Sequence, residues 1–73
     1  MSKLYDIRTK KDMTQYELAE AVKVDRSWIS KIETGQDSVP EWLAKRIADA
    51  LETTTRRLFI IEPERHKRYR VKK

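Results

Sequence analysis

The chain has 73 residues, no cysteine, one histidine and a net charge of +5 at neutral pH. This length corresponds to one small domain with a limited core, and the lack of cysteine excludes disulfides and thiolate metal sites. No apolar run approaches the roughly 20 residues of a membrane-spanning helix, and no signal peptide precedes the first amphipathic segment, so we expect a cytoplasmic protein.

The charge is concentrated at the C-terminal end. Residues 1–55 carry nine Lys and Arg against ten Asp and Glu, whereas residues 56–73 carry eight against two. A basic segment of this kind favours a polyanionic partner, either nucleic acid or an anionic membrane surface. A solvated tail that only keeps the protein soluble is the alternative.

Capping signals predict two helices in the first part of the chain. Ser2 is placed to cap a first helix, which breaks at residues 12–13. Thr14 and Glu17 have the spacing of a capping box and open a second helix. Residues 23–24 form a short turn after it.

Residues 24–35, VDRSWISKIETG, predict a short third helix with two different faces. Asp25 is expected to cap it, and Gly35 stands where a left-handed residue ends a helix. At 100° per residue, the side chains of Ile29, Ile32 and Glu33 share one side, and the opposite side carries Ser27, Ser30, Lys31 and Thr34. A rigid helix with this polar face fits the major groove of DNA, where Arg and Lys reach guanine and Ser reaches a base or a phosphate.

The remaining pattern is also helical. Ser38 and Glu41 have the spacing of a second capping box for a fourth helix, and Thr53 or Thr54 is expected to cap a fifth helix that ends near Leu58. No segment before residue 57 alternates like a strand. The predicted fold is therefore all-α, a compact bundle of four to five short helices followed by a basic tail.

The tail itself allows two interpretations. A frayed basic arm is the default, because the ends of small domains are poorly ordered and basic runs repel themselves. However, residues 58–61 and 69–71 are β-prone, and residues 63–66 could form a turn between them. The alternative is thus an ordered β-segment that contributes to dimerisation.

The segment MTQYELAEAVKVDRSWISKIETG resembles the helix-turn-helix of the phage-repressor and Cro-type (XRE) DNA-binding proteins. The resemblance spans roughly residues 3–59 and rests on L-x-x-I-R at residues 4–8, T-Q-x-E-L-A at 14–19, I-x-x-I-E-x-G at 29–35 and I-A-x-A-L at 47–51. Jointly these motifs are specific. They imply a DNA-binding domain over residues 1–60 and a basic tail over residues 61–73.

The resemblance also implies a role for individual side chains. Bases would be read by Arg26, Ser27, Ser30 and Lys31. The DNA backbone would be contacted by Gln15, Thr34 and Gly35. Thr14 and Trp28 are further candidates for backbone contacts. A buried ion pair would join Arg8 and Glu33, in agreement with the inner-face position of Glu33, since an unpaired buried carboxylate is costly. Dimer contacts would come from the region of the fourth and fifth helices, with candidates Trp42, Arg57 and Phe59.

The two tryptophans have competing interpretations. Trp28 is placed to donate its indole N–H to a phosphate or to touch a thymine methyl, and packing against Tyr16 is the alternative. Trp42 lies off the apolar face of its helix, so it either covers the edge of the core or belongs to a self-association patch, which is the preferred interpretation.

The chain departs from the family in two places. Lys23 stands in the turn where many relatives have glycine, so either its backbone is strained or the turn differs. Residues 36–38 are Gln, Asp and Ser where relatives often carry basic residues. Phosphate attraction is weakened there and Asp37 repels, which makes the C-terminal segment a candidate source of the missing charge.

These observations predict a sequence-specific regulator that binds double-stranded DNA as a homodimer on a pseudo-palindromic operator. No cofactor, metal, small-molecule ligand or membrane partner is expected, and no assembled catalytic residues suggest an enzyme. One alternative is a protein-interaction module, such as an antitoxin-like partner, built on the same helical bundle. The other is a passive helical domain with a tail that binds membrane or RNA.

Overall fold

The computed structural model describes residues 2–62 and 68–73, which form five short helices and one antiparallel sheet. The helices are α1 (Lys3–Lys10), α2 (Gln15–Val22), α3 (Arg26–Glu33), α4 (Glu41–Ala50) and α5 (Thr55–Leu58). The strands are β1 (Val39–Pro40), β2 (Phe59–Glu62) and β3 (Arg68–Val71). The predicted turn at residues 63–66, with His66, lies outside the described residues.

Three of the predicted helix caps are confirmed. The Ser2 hydroxyl accepts the N–H three residues further on at 3.1 Å. Thr14 and Glu17 make both bonds of the capping box, at 2.9 and 3.0 Å. Thr54 accepts the N–H three residues on at 3.3 Å and begins α5. Each bond satisfies a backbone donor that has no partner within its helix.

Of the other two predicted N-caps, one is right in position only and the other is wrong. Asp25 occupies the N-cap position of α3, but its side chain makes no capping hydrogen bond. The box at Ser38 does not form, because α4 begins only after Pro40. The backbone of β1 is extended and pairs with β3, so the Ser38 hydroxyl instead accepts a hydrogen bond from Arg68 Nε at 2.9 Å.

The described part of the C-terminal segment forms strands β2 and β3, contrary to the prediction of a frayed arm. In the sheet, β3 lies between β1 and β2, and Tyr69 pairs with both Val39 and Ile61. The Phe59 and Tyr69 side chains are 2% and 4% exposed, with ring centroids 6.1 Å apart at 86°. The all-α prediction is therefore wrong in this respect, because the sheet contributes to the core.

The core is shared by the helices and the sheet. Fully buried apolar side chains come from every helix and from β1, and they include Leu4, Leu18, Val22, Ile29, Ile32, Val39, Leu43, Ile47, Leu51 and Leu58. Within residues 2–62 and 68–73, each helix is too short and too polar to cross a membrane. Burial of these side chains against one another stabilises the arrangement in which α3 is held on the outside.

Candidate nucleic-acid interface

The turn before α3 has a left-handed residue. Lys23 ends α2 with φ 66° and ψ 44°, and its N–H and that of Val24 return to carbonyls in the last turn of the helix. A side chain in this conformation costs about 1–2 kcal/mol relative to glycine. Of the two alternatives for Lys23, strain is the correct one, and the turn keeps the geometry that a glycine would adopt.

One face of α3 is buried and the other is exposed. Ile29 and Ile32 are fully buried against the core. On the opposite side, Ser30 is half-buried. The other four side chains of the predicted interface are exposed, namely Arg26, Ser27, Lys31 and Thr34. The helix therefore presents a polar, cationic surface and is fixed from behind by apolar packing.

A buried ion pair joins α1 to α3. Arg8 donates from Nε to Glu33 Oε2 and from Nη2 to Glu33 Oε1, the latter at 3.2 Å. The two side chains are 8% and 5% exposed. Arg8 Nη1 also donates to Met13 O at 2.6 Å, and its guanidinium lies 5.3 Å from the centre of the Tyr5 ring. This bidentate geometry satisfies the charges while it sets the position of α3.

Gln15 connects this ion pair to the exposed face of α3. Its Nε2 donates to Glu33 Oε1 at 3.1 Å, and its Oε1 accepts from Arg26 Nη1 at 3.3 Å. A glutamine amide has two N–H donors, so one remains for a phosphate oxygen. Sequence reasoning missed this chain of hydrogen bonds, because no local pattern relates Gln15 to residues in another helix.

The hydroxyls of the predicted backbone contacts differ in availability. Thr34 Oγ1 donates to carbonyls within α3, at 3.1 Å to both Ser30 O and Lys31 O. Thr14 Oγ1 serves as acceptor in its cap, which leaves its own hydrogen for another acceptor. Gly35 follows with φ 82°, a conformation that favours glycine.

Trp28 packs on Trp42 and not on Tyr16. The two indole rings meet edge to face, with centroids 6.2 Å apart at 71°. Tyr16 is mostly exposed, so the alternative of a Trp28–Tyr16 contact is wrong. Trp42 remains 50% exposed and has the Arg46 guanidinium 5.2 Å from its ring centre. This contact ties the start of α4 to the flank of α3.

The three predicted dimer candidates have different surroundings. Trp42 and Arg57 are exposed. Phe59 faces the core of its own protomer, where it contacts Tyr69, and is therefore unavailable to a second chain. The prediction that Phe59 contributes to a dimer contact is therefore wrong. The exposed apolar side chains of β2 are the next two, Ile60 and Ile61.

Comparisons with known proteins place this geometry in a family. A helix-turn-helix domain model matches residues 3–58. The chain is similar to the clp gene regulator ClgR from Corynebacterium glutamicum, with 31% identity and a TM-score of 0.71 over 74% of this chain and 57% of that one. It is also similar to the restriction-modification controller protein C.AhdI from Aeromonas hydrophila, with 33% identity and a TM-score of 0.72 over 75% of this chain and 83% of that one.

The two solved structures thus share the fold, although the chain spans little more than half the length of ClgR. Among curated proteins, no sequence matches this chain at a significant level. The matched region includes α1 to α5 and therefore both the buried ion pair and the exposed face of α3. The chain belongs to the helix-turn-helix domain family, whose fold is used by DNA-binding transcription regulators.

Proposed function

We propose that this chain is a transcription regulator that binds double-stranded DNA sequence-specifically by inserting α3 into the major groove. The observation that carries the proposal is the division of α3 into a fully buried apolar side and an exposed side with Arg26 and Lys31. A helix fixed in this way presents donors to base edges without a large loss of conformational freedom on binding.

Base recognition is assigned to four side chains of that exposed side. Arg26 and Lys31 are suited to the O6 and N7 acceptors of guanine, and Ser27 and Ser30 to either a base or a phosphate. The hydrogen bond from Arg26 to Gln15 limits the rotamers of Arg26 before DNA arrives. We therefore assign Arg26 the larger share of specificity.

Contacts to the DNA backbone are assigned to the residues around the recognition helix. Thr14 and Gln15 lie at the start of α2, where the helix dipole favours a phosphate. The second amide hydrogen of Gln15 and the hydroxyl hydrogen of Thr14 are the donors. Trp28 is assigned through its indole N–H, and Thr34 and Gly35 through their position after α3.

We further propose that the protein acts as a homodimer, with its two recognition helices about 34 Å apart on a pseudo-palindromic operator. Support comes from large apolar side chains at the surface, namely Trp42 and, on β2, Ile60 and Ile61, which are 55% and 51% exposed. Exposed apolar patches mark protein–protein contact sites, and Trp42 and the β2 isoleucines are two separate candidates for such a site.

The outer edge of β2 offers a second argument for self-association. Lys72 N–H donates to Leu58 O at 2.8 Å in the register that pairs Phe59 with Val71. Because hydrogen-bonded pairs alternate along an antiparallel ladder, the N–H and C=O of Ile61 point away from β3. An edge with these groups and two exposed isoleucines is suited to pairing with the same strand of another copy.

Dimerisation can be tested by the mass of variants in sedimentation equilibrium. Ile61→Glu is expected to shift the protein toward a monomer if the β2 edge forms the contact, and Trp42→Ser if the tryptophan patch does. Lys10→Glu, an exposed change on α1, is the matched control. A wild-type protein that is monomeric at micromolar concentration contradicts the homodimer.

Selection of bound sites from a random duplex library tests the proposed function itself. The expected result is an enriched sequence with two related half-sites about one helical turn apart. Failure to bind any duplex at low salt would contradict DNA binding and would favour the protein-interaction alternative. Two further expectations stay predictions, namely a cytoplasmic protein without enzymatic activity and a division of roles between residues 1–60 and 61–73.

A further inference from the structure

The loop after α3 is a poor site for phosphate. Residues 34–38, TGQDS, contain no Lys or Arg and one Asp. The N–H groups of Gln36 and Asp37 donate back to Lys31 O at 2.9 and 3.3 Å, so they are not free for a ligand. The negative end of the α3 dipole lies beside them. The loop therefore brings one negative charge and no positive charge to the backbone contacts assigned to Thr34 and Gly35.

Strand β3 places two arginines against this same loop. Arg68 donates from Nε to Ser38 Oγ at 2.9 Å and from Nη2 to Ser38 O at 3.3 Å. Arg70 donates from Nη1 to Gly35 O at 3.4 Å. The guanidinium groups thus reach both ends of a loop from 30 and 35 positions further along the sequence. The sequence predicts a basic segment, but no local pattern in it indicates that this segment lies against the loop after α3.

Arg70 faces an open cleft between the start of α1, the end of α3 and β3. The cleft is lined by Tyr5, Thr34 and Lys73, among others, and by Glu33, whose charge is paired with Arg8. The Arg70 side chain is 52% exposed. A guanidinium has five N–H donors. Among the described residues, Arg70 Nη1 donates to Gly35 O, and Arg70 Nε is ion-paired with Glu62 Oε1 at 2.6 Å. The remaining donors can hold a phosphate by two parallel hydrogen bonds.

We propose that Arg70, with Lys73 as a second cation, binds a backbone phosphate of the same duplex that α3 reads. The hairpin of β2 and β3 thereby supplies the positive charge that the loop after α3 lacks. This inference rests on the proposed function and adds to it a phosphate contact made by Arg70 of β3. Since a phosphate contact carries no sequence information, the site raises affinity without altering which operator is chosen.

A purely structural role for Arg70 makes a different prediction. A cation at the end of α3 stabilises the helix through its dipole, and the ion pair with Glu62 links β2 to β3. In that case substitution of Arg70 affects thermal stability but not the salt dependence of DNA binding. Under the proposal, Glu62 competes with phosphate for Arg70, so removing the Glu62 charge should strengthen binding.

The first test measures affinity against salt for the selected operator and for a random duplex. Arg70→Gln should weaken both by the same factor and make the slope of log affinity against log salt shallower by about 1. Arg56→Gln, which removes the same charge from exposed α5, is the control and should change the slope less. A folded Arg70→Gln protein with the wild-type slope overturns the proposal.

The second test uses the competing carboxylate. Glu62→Gln should tighten binding to both duplexes and steepen the salt slope, more than Glu52→Gln does. Glu52 is a matched control because it is also ion-paired, with Lys11 at 3.2 Å, but on the turn after α4. Equal effects of the two substitutions, or weaker binding by Glu62→Gln, overturn the proposal.

The two hypotheses fail in distinguishable ways. A wild-type protein without affinity for any duplex refutes the proposed function. A wild-type protein that selects an operator while Arg70→Gln leaves its salt slope unchanged refutes only the phosphate site. Point substitutions are used because deletion of β3 would remove Tyr69 from the core, where it is 4% exposed. Loss of binding after that deletion would reflect unfolding.

Discussion

Replacing Glu33 by alanine removes the acceptor that holds Arg8 inside the protein. The carboxylate accepts two hydrogen bonds from Arg8 and one from Gln15, and both members of the ion pair are more than nine-tenths buried. Among the described residues, the hydrogen bond that Arg8 keeps after the substitution is the one to Met13 O. Its guanidinium then remains buried without a counter-charge, which is the costly way to break an ion pair.

The expected loss is large for a domain of this size. Breaking a buried pair by removing one partner costs about 3–5 kcal/mol. At roughly 0.05–0.15 kcal/mol per residue, the free energy of unfolding of the whole chain is about 4–11 kcal/mol. Because 1 kcal/mol shifts Tm by about 4–8 °C in small domains, we expect Tm to fall by about 12 °C or more.

Urea denaturation and thermal melts followed by circular dichroism measure this effect. Glu20→Ala, on the exposed side of α2, is the matched control and should stay close to the wild type. The double substitution of Arg8→Met and Glu33→Leu should recover much of the loss, because an apolar pair leaves no buried charge. Equal midpoints for Glu33→Ala and Glu20→Ala would show that the ion pair does not stabilise the fold.

Three other predictions concern DNA binding and pH. Arg26→Ala or Lys31→Ala should cost about 1–3 kcal/mol on the selected operator and less on random DNA, as measured by titration of both duplexes. Equal losses on the two would mean that these side chains contact only phosphate. Asp37→Asn should tighten binding to operator and random DNA alike, because it removes a negative charge from the loop after α3; unchanged affinities would place that loop away from the backbone. The backbone N–H of Thr14 donates to the Glu17 carboxylate and lowers its pKa below the ordinary value. A lowered folded-state pKa gives stability that is present at neutral pH and is lost as pH falls through that pKa. The Tm of Glu17→Gln should therefore fall less steeply than that of the wild type between pH 5 and pH 3, roughly the range in which carboxylates titrate. Parallel acid-melting curves for the two proteins would contradict this assignment.

The sequence by itself determined the helices and the two faces of α3. The caps at Ser2, Thr14 and Thr54 each depend on an N–H only three residues away, so they are visible in a short stretch of sequence. The helical period likewise places Ile29 and Ile32 on the inner side whatever they pack against. Signals that act over one or two turns need no knowledge of the rest of the chain.

At Ser38 and in the C-terminal segment, the sequence allowed two local structures, and tertiary packing determined which of them forms. The S-x-x-E spacing at Ser38 predicted a helix cap, but pairing of β1 with β3 draws residues 39–40 into extended backbone. The frayed-arm prediction failed for a related reason. Burial of Phe59 and Tyr69 stabilises a hairpin that would be marginal in isolation.

Only the tertiary structure decided how the candidate interface is assembled. The Gln15 amide that spans Glu33 and Arg26, and the packing of Trp28 on Trp42, join residues from different helices. Arg70 and Gly35 are 35 positions apart in the sequence, and their contact depends on the register of β3 in the sheet. Such contacts are fixed by the packing of whole elements in space, for which the spacing of residues along one helix or strand carries no information.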